Sequence, residues 1–326
     1  MAETFYEQIA ENKRKSFLLS LIVVALFAAL GFSIGVAATG EWSGGIFVTV
    51  IALLIGGGLA LGSYFGGDAL VLKVSGAREV DVAAAPQLMN VVQELAIAAN
   101  VPMPKVYIID DTAPNAFATG RDPQHASVAI TTGLLEKLDR EELQGVIAHE
   151  LSHVRNFDIR FAMIVGVLVG SIALLADFFL RFTFWGGGSR SNRDREGGGS
   201  GGLQVIFFVI AIVLSIIAPI VARFVQLAVN RQREYLADAS SVGLTRNPYG
   251  LERALAKISA DPEVLEVANR ATQHMYFTNP IKKFEERSKG LFSTHPATVD
   301  RINRLRELTG ERPLEPAEMA QLAELE

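Results

Sequence analysis

The apolar residues near the N-terminus form two long, uncharged tracts. The first covers residues 17–38 and the second covers residues 46–67. As a helix, either tract is long enough to cross the roughly 30 Å hydrocarbon core of a bilayer. Basic residues precede the first tract at 13–15 and Lys73 follows the second, whereas the link at 39–45 has neither lysine nor arginine. The pattern therefore predicts two transmembrane helices whose outer ends are cytoplasmic.

Two further apolar tracts lie in the middle of the chain and predict a hairpin in the membrane. They cover residues 161–180 and 203–221 and flank a loop at 186–202 that is rich in glycine and serine. Asp177 interrupts the first arm, and arginines in the loop oppose its export. The hairpin therefore either spans the bilayer or dips into it without crossing.

Between these membrane tracts, residues 71–160 have mixed polarity and predict a folded domain. Apolar residues recur at helical spacing over 86–100, where a valine and a proline end the pattern. Residues 105–109 and 127–131 have the composition of short strands. Beyond residue 226 the chain is polar and helical in character. The predicted fold class is mainly α with a small β-sheet, in a polytopic membrane protein.

Composition supports a membrane class and narrows the chemistry. Half of the residues are hydrophobic, and the mean hydropathy is +0.29, which is unusual for a water-soluble protein. The net charge of -5 gives no broad basic surface, so nucleic acid is not an expected partner. The chain has no cysteine, so a metal ion would be held by imidazole and carboxylate groups.

One short segment combines two histidines with a glutamate at the spacing of a metal site. Asp139 predicts the N-cap of a helix that runs through His149, Glu150 and His153. Histidines four residues apart share a helix face and can reach one ion. Glu150, next to the first histidine, can reach a water molecule at the ion and act as its general base. The segment therefore predicts a zinc hydrolase.

A catalytic zinc ion needs a third protein ligand. A histidine six residues after His153 would fall at Ile159, so that arrangement is excluded. A glutamate about twenty residues downstream would fall near Ala173, where none occurs. The next candidates are Glu234 and Asp238, which share a helix face. One can ligate the ion while the other holds a ligand histidine, and spacing alone does not decide between them.

These segments resemble the membrane-bound zinc metalloproteases of the HtpX type, relatives of the CAAX prenyl proteases. The resemblance covers nearly the whole chain and includes the paired N-terminal anchors and the hydrophobic hairpin. Its motifs are Asn115-Ala116-Phe117-Ala118-Thr119-Gly120, His149-Glu150-Leu151-Ser152-His153, Arg233-Glu234-Tyr235-Leu236-Ala237-Asp238 and Ser293-Thr294-His295-Pro296. It implies a gluzincin-type metalloprotease domain.

The resemblance also implies residue roles. It makes Glu234 the third ligand of one zinc ion per chain, beside His149 and His153, and Asp238 a partner of a ligand histidine. It implies that His295 binds the oxyanion. It implies that Arg301 helps to position His295. It also places Asn115, Ala116 and Phe117 beside the substrate cleft, where Asn115 and Ala116 pair with the backbone of an extended peptide. His125 and His274 match no motif, and Asp158 matches a family position without a known task.

The predicted organisation is an anchor at 1–70, a first catalytic part at 71–160, a membrane hairpin at 161–225 and a second catalytic part at 226–326. The apolar tracts and their basic flanks predict a multi-pass protein of the cell membrane whose catalytic part is cytoplasmic. The resemblance implies misfolded or damaged membrane proteins as substrates, hence a role in protein quality control during stress. The alternatives are an intramembrane metalloprotease, a metal transporter and a scaffold with a structural zinc ion.

Overall fold

The computed structural model describes residues 5–185, 200–263, 277, 295–315, 318 and 322. Within them the chain is mostly helical and has one four-stranded sheet, so the predicted fold class is confirmed. The helices are α1 Phe5–Thr39, α2 Trp42–Val74, α3 Pro86–Ala99, α4 Thr132–Lys137, α5 Arg140–Arg155, α6 Asp158–Trp185, α7 Ser200–Thr245, α8 Pro248–Ala260 and α9 Thr298–Thr309. The strands are β1 Arg78–Glu79, β2 Lys105–Ile109, β3 Ala116–Thr119 and β4 Ser127–Thr131.

Four helices are long and apolar enough to cross a membrane. Their candidate spans are Phe17–Thr39, Trp42–Val74, Phe161–Phe184 and Gly202–Thr245. The four apolar tracts predicted from the sequence are therefore helical, and both arms of the hairpin are long enough to span a bilayer. Most of the glycine-rich loop at 186–202 lies outside the described residues.

The last of these helices, α7, is much longer than the predicted hairpin arm. It has 46 residues, which is about 69 Å at the rise of an α-helix and more than twice the apolar thickness of a bilayer. The apolar tract ends near residue 221, but the helix continues to Thr245. Its second half carries Arg233, Glu234 and Asp238. One continuous helix therefore joins an apolar segment to the polar residues of the site.

The chain divides into two compact units. The membrane-helix unit contains residues 10–63 and 162–229, and the sheet unit contains residues 1–9, 64–161 and 230–326. In the membrane-helix unit, glycines let α1 and α2 approach closely, because a Cβ on Gly35 would lie 2.2 Å from the carbonyl oxygen of Gly44. Small residues serve the same purpose at many helix contacts in membranes.

The sheet of the sheet unit has the strand order β1-β2-β4-β3. β2 and β4 are parallel, and β1 and β3 pair antiparallel to their neighbours. β2 and β4 are the two predicted strands. β1 and β3 were not predicted, because two and four residues are too few to show an alternating pattern. β3 forms one edge of the sheet and lies closest to the candidate site.

α5 passes through the core of the sheet unit. The predicted cap is confirmed: the Asp139 carboxylate accepts from the Glu142 N–H at 2.8 Å, and the Glu142 side chain accepts from the Asp139 N–H at 2.9 Å. Glu142 is fully buried and pairs with Lys257 of α8 at 2.9 Å. A Cβ on Gly145 would lie 2.6 Å from the backbone nitrogen of Leu251, so glycine is needed where α5 meets α8. These contacts fix α5, and therefore the backbone that carries His149 and His153, against α8.

Candidate active site

Two imidazoles project from one face of α5. His149 and His153 are one helical turn apart, so helix geometry alone puts them on the same side. Their Nε2 atoms lie 3.1 Å apart. His149 is fully buried, whereas the side chain of His153 is 14% exposed. The two Nε2 atoms thus point into a common space that is open on one side.

α7 brings a carboxylate to these nitrogens. Glu234 Oε1 lies 3.4 Å from His153 Nε2, and Oε2 lies 3.6 Å from His149 Nε2. The three residues form a group whose ligand atoms lie within 4.8 Å of one another. In a tetrahedral zinc site with bonds of about 2.0–2.1 Å, neighbouring ligand atoms are about 3.3 Å apart. The observed separations bracket that value.

The polar environment of the group also fits a cation. Glu234 Oε2 is buried and has no hydrogen-bond partner among the described residues, and Arg301 Nη1 lies 3.5 Å from it. A buried carboxylate oxygen of this kind is costly unless positive charge satisfies it. Burial opposes a charge on His153, but hydrogen bonds to Asp158 and Glu234 outweigh burial and raise its pKa well above the ordinary value. The carboxylates of Asp158 and Glu234 therefore favour positive charge beside His153. The residues present fit a divalent metal ion.

Asp238 lies on the opposite side of His149 from Glu234. Its Oδ1 is 2.9 Å from His149 Nδ1. Arg301 of α9 donates to both oxygens of Asp238, from Nε at 2.9 Å and from an Nη at 2.7 Å. Burial opposes the charge of Arg301, but Asp238 outweighs burial and raises the pKa of the guanidinium. The carboxylate thus fixes the ring of His149 with Nε2 facing the group.

Asp158 occupies the matching place beside His153, a role that the sequence analysis did not predict. Its Oδ2 lies 3.1 Å from His153 Nδ1, and its Oδ1 lies 3.0 Å from an Nη of Arg233. The sequence signal was weak, because an acid five residues after a ligand histidine, at the start of another helix, matches no helical spacing.

Glu150 is 2% exposed and lies next to the metal-fitting group. The backbone N–H of Ala118 in β3 donates to its carboxylate. Burial raises the pKa of Glu150, and the attraction of His149 and His153 only partly opposes that rise. The Glu150 carboxylate is therefore shielded from solvent, oriented by its hydrogen bond from β3 and able to take up a proton.

His295 and Arg301 come to the same region from the C-terminal part of the chain. His295 is buried, at 5% exposure, and its charge acts on Glu234. The resemblance implies that Arg301 positions His295, and that role stays a prediction. The guanidinium of Arg301 binds Asp238 and the carbonyl oxygen of Phe277, the latter at 3.0 Å. Arg301 thus supports the His149 side of the site.

The segment expected beside the substrate cleft is the edge strand β3 and the residue before it. Asn115 is 3% exposed and its N–H donates to Thr131 Oγ1 at 2.9 Å. The ring of Phe117 is buried in a separate cluster with Leu72. The carbonyl oxygen of Ala116 faces away from β4 and accepts from the backbone N–H of Phe277 at 2.8 Å. Backbone groups, rather than the Phe117 ring, therefore face the site.

The other histidines do not join the group in the described part of the chain. His125 lies at the surface, with Nδ1 2.7 Å from Asp122 Oδ1. His274, Ser293 and Thr294 lie outside the described residues.

Comparison with known proteins shows the relationship directly. The model of peptidase family M48 matches residues 83–309. A Protease HtpX homolog of Streptococcus uberis is 44% identical over 303 residues, covering 93% of this chain and 99% of that protein. One of Caldanaerobacter subterraneus is 43% identical over 306 residues, covering 94% and 98%. Among solved structures, S. mikatae Ste24p aligns at 17% identity with a TM-score of 0.48, covering 92% of this chain and 67% of that one, too weak a similarity to support an argument.

The family match covers more than half of the chain, and the two HtpX relatives match over almost their full lengths. These matches show the family of the chain, and the four apolar helices agree with a membrane protein. The chain belongs to peptidase family M48, and it is a membrane metalloprotease of the HtpX type.

Proposed function

We propose that this metalloprotease is a zinc endopeptidase that cleaves misfolded or damaged membrane proteins at the cytoplasmic face of the cell membrane. One zinc ion per chain would be held by the Nε2 atoms of His149 and His153 and by the carboxylate of Glu234. The observation that carries the proposal is the convergence of these ligand atoms, 3.1 to 3.6 Å apart, next to the buried carboxylate of Glu150.

The chemistry divides between the ion and the chain. Zinc, when bound, supplies a Lewis acid for the scissile carbonyl and makes water more acidic. Glu150 takes a proton from the attacking water at its carboxylate and returns it to the nitrogen of the leaving amine. His295 donates a hydrogen bond to the carbonyl oxygen as negative charge develops there. Asp238 and Arg301 keep the ring of His149 in place throughout.

The substrate is proposed to bind as an extended strand along the outer edge of β3 at Ala116. Asn115 was expected to pair as well, but both of its backbone groups already bond Thr131 of β4. Strand addition uses backbone groups and so accepts many sequences, which suits the damaged proteins that the resemblance implies. Because the Ala116 carbonyl oxygen already accepts from Phe277, a substrate must exchange that hydrogen bond for its own. The ring of Phe117 is buried in the cluster with Leu72, so Phe117 is proposed to act only as a backbone element of β3 and not through its side chain.

Removal of metal tests the zinc proposal. The detergent-solubilised full chain is expected to carry about one zinc ion and to cleave unfolded casein, because three protein ligands complete a catalytic site. A chelator should abolish cleavage, and added zinc should restore it. Casein cleavage that persists in a protein shown to be free of metal would contradict the proposal. Zinc uptake into proteoliposomes without any cleavage would support a transporter instead.

An intramembrane protease is less well supported. Neither His149 nor His153 lies in any of the four candidate spans, and Glu234 lies in the last of them only beyond the apolar tract, which ends near residue 221. α5 also begins with Arg140, Glu141 and Glu142, and charges of this kind are costly to bury in lipid.

The cytoplasmic orientation can be tested with single cysteines, since the native chain has none. Ile97 on α3 is 74% exposed, and Glu41 lies in the link between α1 and α2, which has no basic residue. By the positive-inside rule, a membrane-impermeant maleimide should label Glu41→Cys in intact spheroplasts. It should label Ile97→Cys only after permeabilisation. The cysteine-free chain is the blank, and labelling of Ile97→Cys in intact cells would reverse the proposed orientation.

A further inference from the structure

The geometry points to Asp158 and Arg233 as positioning residues for the zinc site. We infer that Asp158 holds the ring of His153 so that Nε2 faces the ion, and that Arg233 holds Asp158. The inference rests on the proposed zinc site and adds two residues to it. Neither of them touches the group of ligand atoms itself.

The contacts form an unbroken chain from the ligand to the arginine. Asp158 Oδ2 lies 3.1 Å from His153 Nδ1, while Asp158 Oδ1 lies 3.0 Å from an Nη of Arg233. The same Nη donates to the backbone carbonyl oxygen of Asp158 at 2.7 Å. Arg233 stacks on the ring of Phe161, with 3.8 Å between its Cζ and the ring centroid. The side chains of Arg233 and Asp158 are only 11% and 9% exposed, so this series of contacts is almost completely buried.

This chain of contacts decides which ring nitrogen of His153 carries the proton. A histidine that gives the lone pair of Nε2 to a metal ion must carry its hydrogen on Nδ1. An ionised carboxylate accepts hydrogen bonds and donates none, so Asp158 favours the hydrogen on Nδ1. Arg233 supplies the opposite charge beside Asp158 in its buried position, 3.0 Å from Oδ1. The contact with Asp158 thereby orients the ring so that Nε2 faces the group of ligand atoms.

The backbone shows how Asp158 reaches this position. In a continued helix, a residue five positions after His153 would point about 140° away from it. The chain instead turns between α5 and α6, where Phe157 has a φ of 59°. A left-handed conformation is unfavourable for a bulky non-glycine residue and persists only where surrounding contacts impose it. The turn starts α6 at Asp158 and brings its carboxylate back over His153 Nδ1.

Arg233 also links the two helices that supply ligands. It precedes Glu234 in α7, and its contact with Asp158 joins that turn of α7 to the start of α6, three residues after the end of α5. On the other side of the site, Asp238 and Arg301 hold His149 in the same manner. Each histidine is thus backed by its own aspartate and arginine, and loss of the Asp158 pair should loosen His153 alone.

Zinc affinity measures this role directly. The full chain in detergent would be titrated against a chromophoric zinc chelator, with Asp158→Ala, Asp158→Asn and Arg233→Lys beside it. Outer-shell partners of this kind typically change metal affinity by about 10- to 100-fold. We expect a loss of that size for Asp158→Ala and smaller losses for the two conservative variants. The histidine ¹⁵N spectrum should show a fixed Nδ1 proton on His153 in the native chain and not in Asp158→Ala.

The matched control is Asp122→Asn, which breaks another aspartate–histidine pair, that of His125 at the surface. Its zinc affinity should equal that of the native chain. If Asp158→Ala does not fold, Asp158→Asn and Arg233→Lys decide the question. Zinc binding as tight as native in folded Asp158 and Arg233 variants would overturn the inference. A native chain that takes up no zinc would overturn the proposed function instead, so the two failures are distinguishable.

Discussion

Replacing Glu150 by glutamine is expected to leave zinc binding intact and to reduce peptide hydrolysis about 100- to 10,000-fold. Glutamine has the shape of glutamate but cannot take up the proton of the attacking water. The side chain is 2% exposed, and its carboxylate accepts from the Ala118 N–H, a bond that the amide oxygen of glutamine can keep. The fold and the ligand positions should therefore survive the change.

Two measurements on the purified full chain test this expectation: zinc content, and the rate of casein cleavage with saturating zinc. The matched control is Glu141→Gln, which makes the same change on the same helix at a surface position paired with Arg253. Exposed ion pairs contribute little, so this variant should keep both zinc and activity. Full proteolysis by Glu150→Gln would remove Glu150 from the mechanism. Loss of zinc from that variant would mean that its role is structural.

Helix α5 was predictable because the patterns that identify it are local in sequence. The Asp139 cap fixes where α5 begins, and the four-residue spacing of His149 and His153 fixes their common face. The four apolar helices followed from the length of each tract in the same way. Such features depend only on neighbouring residues, so sequence pattern is sufficient for them.

The division of tasks between Glu234 and Asp238 was not predictable from spacing. Both carboxylates share one face of α7, and only the approach of α7 to α5 separates them. In the structure Glu234 faces the Nε2 atoms, whereas Asp238 lies 2.9 Å from His149 Nδ1. The resemblance assigned the pair in this sense, but the residues alone left both assignments open.

Asp158 and β3 were missed for two different reasons. Asp158 depends on the left-handed conformation of Phe157, and a phenylalanine gives no sign of such a turn, as a glycine would have done. β3 has only four residues, all buried, so it lacks the alternation that identifies a strand with one exposed face. Its importance comes from its place at the sheet edge, where its backbone meets Glu150 and Phe277.

Replacing Glu234 by glutamine should weaken zinc binding by more than the roughly 10- to 100-fold typical of an outer-shell change, and proteolysis should fall with it. The amide keeps the size of the side chain but loses the negative charge that a zinc ligand provides. Oε2 of Glu234 has no hydrogen-bond partner among the described residues, so the substitution breaks no hydrogen bond to that oxygen there and weakens its 3.5 Å ion pair with Arg301. Chelator competition and casein cleavage measure the two effects.

Excess zinc separates this variant from Glu150→Gln, because a weakened site can be refilled by mass action whereas a missing proton acceptor cannot. Added zinc should therefore restore part of the activity of Glu234→Gln and none of the activity of Glu150→Gln. A Glu234→Gln chain that holds zinc as tightly as the native chain would show that the third ligand is another group. Asp238, four residues further along α7, would then be the next carboxylate to test.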